Sequence, residues 1–395
     1  MMSKSNISVR TRVLDNPAAP FYALLISTGV LSVIGIVMVF SSSSIHSLDI
    51  NGSSIAIVFR QFIFLTISIP MAVFLARLKL GQWKALARFG LLISVIILLA
   101  LQIPGVGKSV NGNTNWISLK FVDVQPSEFA KFLLILWASA LLASRVNAGF
   151  NRVNVLALIA PGFLVVSALV MWGRDLGTAS VIMVILGGLL FVSGIPLRLV
   201  GTLVAAGAML IGFFIVTASH RLARFSVFLN PFDPAEYKNE GWQPAHSLLG
   251  LASGGIFGVG LGGSRQKWGN LPEAHTDFIF SVIGEELGLL GALVILALLG
   301  TLIYSALRIA MKSSDPFTRF ACAGIASWFA IQSIINIGSA VSLLPVVGIT
   351  LPLVSYGGSA LTATYMGIGF LAGGALRDQE ISHEVKRALA QRRKR

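Results

Sequence analysis

Apolar residues run through this chain in uninterrupted stretches of about 20, joined by short polar connections. Ten such stretches are predicted to be spans: residues 20–40, 58–77, 86–103, 128–144, 155–173, 176–195, 199–218, 281–307, 319–340 and 358–376. In hydrocarbon each unpaired backbone group costs several kcal/mol, so a spanning segment must be a closed helix or part of a closed barrel. Barrel strands would alternate over about ten residues, and these runs do not alternate. The expected fold is therefore an all-α integral membrane protein of about ten transmembrane helices. The division between the fifth and sixth spans rests on "WGRDLGT" (172–178), the polar break in a long apolar stretch. A charge at the bilayer centre costs about 2.5–3.5 kcal/mol, so adjacent Arg174 and Asp175 argue for a turn there.

Composition reinforces the pattern. The 395 residues are 55% hydrophobic and 12% charged, whereas a soluble surface needs about a quarter or more charged residues. The first span is long enough to cross and lacks a small-residue cleavage pattern, so it is expected to be a retained helix. No internal repeat stands out, which weakens an inverted-repeat transporter reading. The sole cysteine, Cys322, lies inside a span, so a disulfide or thiolate metal cluster is not expected.

Charge then sets the orientation. Lys4, Arg10 and Arg12, then Arg77, Lys79, Lys84 and Arg88, then Arg145 and Arg152, fall in connections on one side. Arg198, the group Arg308, Lys312 and Arg319, and the tail ending "RRKR" (392–395) join them. That side is expected to be cytoplasmic, with both termini inside. The organisation is then a tail (1–19), a polytopic domain (20–376) with a large extracytoplasmic loop (219–280) between the seventh and eighth spans, and a basic tail (377–395). The net charge of +14 is mostly a topology and anionic-lipid signal. Nucleic acid is not an expected partner, because the basic residues are scattered over loops with no fold to present them.

Candidate chemistry gathers on the opposite, outer side. The first outer connection (41–57) is Ser-rich and nearly uncharged, while the loop 219–280 is dense in polar groups and stiffened by Pro231, Pro234, Pro244 and Pro272. Its "GGIFGVGLGG" (254–263) has the composition of a phosphate loop, but no strand precedes it and no Lys-Ser or Lys-Thr pair follows. A loop or half-helix needing close backbone approach is expected instead. In "LPEAHTDFIFSVIGEELG" (271–288), Asp277 stands where the polar loop runs into an apolar helix. Partial desolvation raises a carboxylate's proton affinity, which suits a general base; a helix-capping role explains the position equally well. Glu285 and Glu286 lie inside the span, and one is expected to pair with a basic residue. "QPSEFAK" (125–131) places Glu128 and Lys131 on one helix face, as an ion pair fixing the helix or as part of a cavity. Arg60 and Asp175 lie at similar depth, and snorkelling to headgroups is the plain alternative for Arg60. "LPVVGITLPLVSYGGSA" (344–360) re-enters the membrane as a Pro- and Gly-broken stretch, tolerated only where protein or a watery cavity surrounds it.

"QPSEFAK", "DLGT" (175–178), "PEAHTDFIFSVIGEELG" (272–288) and "LPLVSYGGS" (351–359), in this order on a ten-span frame, resemble the SEDS family of bacterial shape, elongation, division and sporulation proteins. The resemblance covers nearly the whole chain apart from the tails. It implies a SEDS-type bundle in the bacterial cytoplasmic membrane acting as a peptidoglycan glycosyltransferase, which polymerises lipid II at the outer face. Thr350 in "GITLP" and Gly284 in "GEELG" look more like the division branch, and hence a septal role, than the elongation branch. By the same resemblance Asp277 is the catalytic residue, while Arg60, Glu128, Lys131, Asp175, Arg221, Arg224, His275 and Ser355 are substrate-binding positions. The sequence departs from the family's pattern at Asn115, Arg174, His246 and Val347, where Arg, Pro, Gln and Lys are found in other members. The implied partners are lipid II, a class B penicillin-binding protein transpeptidase and other division proteins of the membrane.

The residues fit such a reaction without the family name: a base to deprotonate the acceptor hydroxyl and cations to stabilise a departing pyrophosphate. A divalent cation, magnesium or manganese, bridging pyrophosphate to a carboxylate is compatible with this set. Two rival classes remain, a flippase carrying lipid-linked sugars and a non-enzymatic scaffold. The flippase predicts functional charges toward both faces, whereas these gather outside. The basic tail is expected to be a lipid-facing anchor or a partner contact.

Overall fold

The computed structural model describes residues 16–393 except 111, 120–121, 147–153, most of 197–226, and 229. Its helices are α1 (Ala19–Asn51), α2 (Ala56–Ala76), α3 (Leu80–Ala100), α4 (Pro126–Val146), α5 (Asn154–Trp172) and α6 (Leu176–Val192). After these come α7 (Trp242–Gly254), α8 (Ile279–Lys312), α9 (Pro316–Ala340), α10 (Gly358–Arg377) and α11 (Gln379–Arg393). Among the described residues eight helices are long and apolar enough to cross a membrane, and α6 is a shorter apolar helix. Nine of the ten predicted spans have a counterpart; the stretch 199–218 lies mostly outside the described residues, and those described in it are helical.

Helices α4, α9 and α10 are mostly buried inside the bundle, and α2, α3 and α8 present most of their apolar surface outward. This is the inverse of a soluble protein: exposed Phe59, Phe62, Phe74, Phe89 and Leu293 face the place of lipid. Helix α10 packs on α2, α4 lies between α3 and α9, and α9 packs on α6 and α8.

Four features depart from the sequence expectation. The Ser-rich connection does not leave the helix at residue 40: α1 continues to Asn51. At 1.5 Å per residue its 33 residues reach about 50 Å, well past a hydrocarbon core of about 30 Å. Serine is a poor helix former, but Ser41, Ser42, Ser43 and Ser47 are buried against the protein, so packing overrides propensity. The connection after α3 folds into a three-stranded antiparallel sheet, β1 (Gly107–Val110), β2 (Asn113–Leu119) and β3 (Val122–Val124), in that order. Gly107 faces Ile117, and Ile117 faces Val124. Thr114 N donates to Gly173 O at 3.0 Å and Gln125 N to Ser359 Oγ at 2.9 Å, tying the sheet to the α5 end and the α10 start. The tail is largely the helix α11, with Ile381 and Val385 buried.

The fourth feature is a break in α8. Gly288 has φ 68° and ψ −168°, a conformation open essentially to glycine alone. The break frees two carbonyls and two amides, and the glycine loop after α7 takes all four. Val259 N donates to Glu285 O (3.0 Å) and Gly260 N to Glu286 O (3.1 Å), while Leu289 N donates to Gly255 O (2.9 Å) and Leu290 N to Ile256 O (3.2 Å). The "GGIFGVGLGG" run is thus a close-approach loop, as its composition predicts. Below it, Glu286 accepts from Ser41 Oγ at 2.7 and 2.6 Å and pairs with Lys267 at 3.4 Å. Glu285 accepts from Ser264 Oγ and from Arg265 N. The expected ion-pair partner exists, and it comes from the loop rather than from another span.

Candidate functional site

Asp277 ends the polar loop two residues before α8 begins. The N-cap of α8 is Phe278, and no side chain caps the helix, so Asp277 is not a capping residue. Its backbone carbonyl accepts from Asn336 Nδ2 at 2.8 Å, which fixes the chain while leaving the carboxylate without a hydrogen bond from any described residue. The side chain is half-buried. Burial pushes its carboxyl up to about 7, with Glu273 and Asp175 adding like-charge repulsion.

The wall around this carboxylate is the irregular stretch between α9 and α10. Gly348 lies against it: a Cβ there would sit 3.5 Å from Asp277 Oδ2. Unpaired backbone is costly at this depth, and amides on α9 and α2 satisfy it. Asn336 Nδ2 donates also to Ile349 O (2.7 Å), Gln332 Nε2 to Thr350 O (3.0 Å), and Gln61 Nε2 to Ser355 O (3.1 Å). Gly357 N returns a bond to Gln61 Oε1 at 3.2 Å. Ser355 Oγ donates to Thr276 O (2.6 Å) and accepts from Leu351 N (2.8 Å). Its hydroxyl therefore joins the wall to the Asp277 segment, a positioning contact.

Three charged side chains back the wall, two of them as a pair. Lys131 Nζ lies 2.7 Å from Glu128 Oε1, with side chains 1% and 7% exposed, and donates to Gln332 Oε1 at 3.1 Å. Trp328 closes over the ammonium, 5.2 Å from ring centroid to Nζ, and donates its indole N–H to the same Gln332 oxygen at 2.6 Å. The pair and Gln332 thus form one chain of contacts to Thr350. Asp175 caps α6: its oxygens accept from Thr178 N (2.8 Å), Thr178 Oγ1 (2.7 Å) and Asn115 Nδ2 (2.9 Å). Burial pushes its carboxyl up, against the two Thr178 bonds. Asn115 contributes a neutral donor to Asp175. A Cβ at Gly177 would collide with Val347 O, so the wall rests on the start of α6.

Two residues before Asp277, His275 is buried, its ring 5.5 Å from Tyr356 and 5.3 Å from His46 between centroids. Burial lowers it to about 4, although Glu273 pulls the other way, so it is neutral at physiological pH. Arg60 is exposed and interacts with Tyr356 and Asp123. Asp123 is held below the usual carboxylate range by Lys108, 2.7 Å away, with Arg60 adding. Arg221 and Arg224 lie outside the described residues.

The structure therefore brings together Asp277, Asp175, His275 and Ser355, with Arg60 at the rim and the Glu128–Lys131 pair behind. Sequence reasoning passed over Gln61, Gln332, Asn336 and His46. The two α9 amides carried a signal, being polar residues at i and i+4 inside an apolar span. Nothing local marked His46, because its place depends on α1 continuing as helix. Among the described residues no group of three or more His, Cys, Asp or Glu is placed to hold a metal ion. The Asp175 oxygens accept from Thr178 and Asn115, while the Asp277 carboxylate is open. A carboxylate of that kind would hold a magnesium ion only together with substrate phosphates.

Comparisons with known proteins relate the chain as a whole to others. The family model described as "Cell cycle protein", covering FtsW, RodA and SpoVE, matches residues 22–378. The "Probable peptidoglycan glycosyltransferase FtsW" of Mycobacterium tuberculosis is 36% identical over 367 residues, 93% of this chain and 70% of that protein. "Stage V sporulation protein E" of Bacillus subtilis is 36% identical over 360 residues, 89% of this chain and 96% of that one. Among solved structures, one described as "Structural coordination of polymerization and crosslinking by a peptidoglycan synthase complex" matches with TM-score 0.74 and 27% identity, over 91% of this chain and 98% of that one. The rod shape determining protein RodA of Thermus thermophilus matches with TM-score 0.66 and 28% identity, over 91% and 97%.

Proposed function

Because the chain belongs to the FtsW, RodA and SpoVE family of cell cycle proteins, we propose that it is a peptidoglycan glycosyltransferase. It polymerises lipid II into glycan strands at the outer face of the bacterial cytoplasmic membrane, in septal wall synthesis. The observation that carries this is the Asp277 carboxylate: half-buried, free of hydrogen bonds from described residues, and titrating near 7 beside an irregular polar wall. A base for a sugar hydroxyl needs that combination, since a carboxyl near the working pH is both ionised and basic enough to accept a proton.

In the reaction, Asp277 takes the proton of the acceptor hydroxyl as its oxygen attacks the donor's anomeric carbon. The new C–O bond forms as the bond to the lipid diphosphate breaks, with inversion at that carbon. Negative charge then grows on the diphosphate, where fixed cations stabilise it. Arg60 at the mouth, together with Arg221 and Arg224, supplies them. Lys131, closed in by Glu128, Gln332 and Trp328, acts by bracing the wall and by its field. Neutral His275 lines the path with Tyr356 and His46.

A transpeptidase of the class B penicillin-binding type is the expected partner. The synthase complex that resembles this chain couples polymerisation to crosslinking, which supports that expectation.

The test is polymer formation from lipid II by purified protein in detergent. Wild type is expected to give glycan polymer, and Asp277→Asn, with an equal far-UV spectrum, to lose at least about a hundredfold in rate. Polymer made without a bilayer cannot come from transport, which separates this reading from a flippase. Normal polymerisation by Asp277→Asn would remove the catalytic assignment.

A further inference from the structure

At the end of the bundle opposite Asp277, α3 begins, α4 ends and α9 begins. A cavity of about 420 Å³ opens between them, lined by Lys84, Arg88, Trp137, Ala140, Ser144 and Phe317 among others. Its volume falls in the range of small-molecule sites. Ala87 on α3 and Ala140 and Ala143 on α4 leave this space open.

The wall is rigid. Trp137 is wedged between helices: a Cβ at Gly90 on α3 would come 3.2 Å from Trp137 Cβ, and one at Gly162 on α5 would collide with the indole. Phe317 is fully buried. Lys84 reaches from α3 to Asp315 at the start of α9, 2.8 Å away, and Asp315 caps α9 by accepting from Thr318 N at 2.9 Å. The ion pair ties two walls together and balances one of the two cationic charges. Arg88 is exposed and has no ion pair or hydrogen bond among the described residues.

Depth identifies the ligand's chemistry. Arg88 lies eight residues past the start of α3 at Leu80, about 12 Å along its axis. This end of the bundle carries the Lys and Arg of the short connections, so the cavity sits where headgroups give way to acyl chains. An aromatic and aliphatic interior below one uncompensated guanidinium matches a molecule with one phosphodiester charge and an apolar tail. A zwitterionic lipid would add its own cation at the mouth and lose that match.

We propose that this cavity binds one monoanionic glycerophospholipid, its phosphodiester on Arg88 and Lys84 and the start of an acyl chain against Trp137. By occupying the junction of α3, α4 and α9 it braces the helices whose other ends carry Glu128, Lys131, Gln332 and Asn336. None of its contacts involves the residues assigned to polymerisation, so its test is independent of that reading.

The experiment uses the purified full-length chain in neutral detergent, titrated with phosphatidylglycerol, phosphatidylcholine or glycerol phosphate. Bound lipid is counted by native mass spectrometry, and the thermal midpoint is followed in parallel. Phosphatidylglycerol is expected to be retained as a single saturable adduct about fivefold more tightly than phosphatidylcholine, the size of one Arg at an anionic surface. Arg88→Gln, a change at an exposed site, should bring the two lipids to parity without altering the lipid-free midpoint. Ala140→Phe, which fills the cavity, should remove the adduct. Equal retention of both lipids by wild type, or a preference that survives Arg88→Gln, overturns the proposal. Stabilisation by glycerol phosphate equal to that by the lipid would make this a free-anion site and overturn the lipid assignment. So would a photo-crosslinker at Ser144 that captures protein instead of lipid in native membranes.

Discussion

Asp277 and its neighbours show how burial sets chemistry one side chain at a time. With the carboxyl raised to about 7, the ionised fraction falls about tenfold per pH unit below that value. The polymerisation rate is expected to do the same on its acid limb, read as kcat/KM against pH; a flat profile between about pH 5 and pH 7 would contradict Asp277 as base. The same shift has a stability consequence. The folded carboxyl holds its proton more tightly than the unfolded one, whose ordinary value is 3.8. Between those values the folded state binds more protons, so stability declines as pH rises through the window and stays lower above it. Asp277→Asn cannot ionise and escapes that loss. Its thermal midpoint should exceed wild type's at about pH 8 and converge with it near pH 4. Lys131 obeys a different rule: with side chains 1% and 7% exposed, Glu128→Gln leaves a buried ammonium without its counter-ion. The expected cost is about 3–5 kcal/mol, seen as loss of folded protein on extraction.

At the scale of elements, the structure relies on pieces that break regular geometry and have their backbone groups satisfied elsewhere. The α8 interruption is stable because the glycine loop exchanges four backbone hydrogen bonds with it. Gly288→Ala would place a Cβ against Gly258 N and Ile256 O in a conformation that other residues avoid. A destabilisation of at least about 2 kcal/mol is expected, measurable as a lowered melting midpoint in detergent. The stretch between α9 and α10 depends in the same way on side-chain amides. Asn336→Leu removes one donor from two carbonyls, Asp277 O and Ile349 O. At about 1–3 kcal/mol for each stranded group, the variant should melt earlier and polymerise more slowly even though Asp277 is intact. An unchanged melt would show that the amide is not what holds the segment.

For the whole molecule, the claim with the widest consequence is orientation: the Lys- and Arg-rich end inside, Asp277 outside. Because Cys322 is the sole cysteine and is buried, a Cys322→Ala background makes single-site labelling direct. Thr276→Cys in intact cells is expected to react with a membrane-impermeant thiol reagent, and Lys79→Cys only after permeabilisation. The reverse pattern would put the reacting sugar on the wrong side for an extracytoplasmic wall. The three-stranded sheet and the α1 extension both lie at the Asp277 end, so the bundle builds its site beyond the bilayer's hydrocarbon as well as within it.

Long apolar runs and the distribution of Lys and Arg were enough to specify the bundle, because hydrocarbon leaves a chain almost no alternative to closed helices. The boundary position of Asp277 was legible for the same reason, since it marks a change of solvent along one segment. The sequence did not decide between cap and base, nor whether Glu128 and Lys131 face a cavity or each other. Nor did it reveal that α1 runs on to His46, that residues 107–124 form a sheet, or that two α9 amides hold the wall. Those outcomes depend on which groups meet across hundreds of residues, and local pattern carries no information about such meetings. Tertiary packing decided which of these groups meet, giving most buried polar groups the partner that removal from water requires and leaving a few, such as Glu128 Oε2, without one.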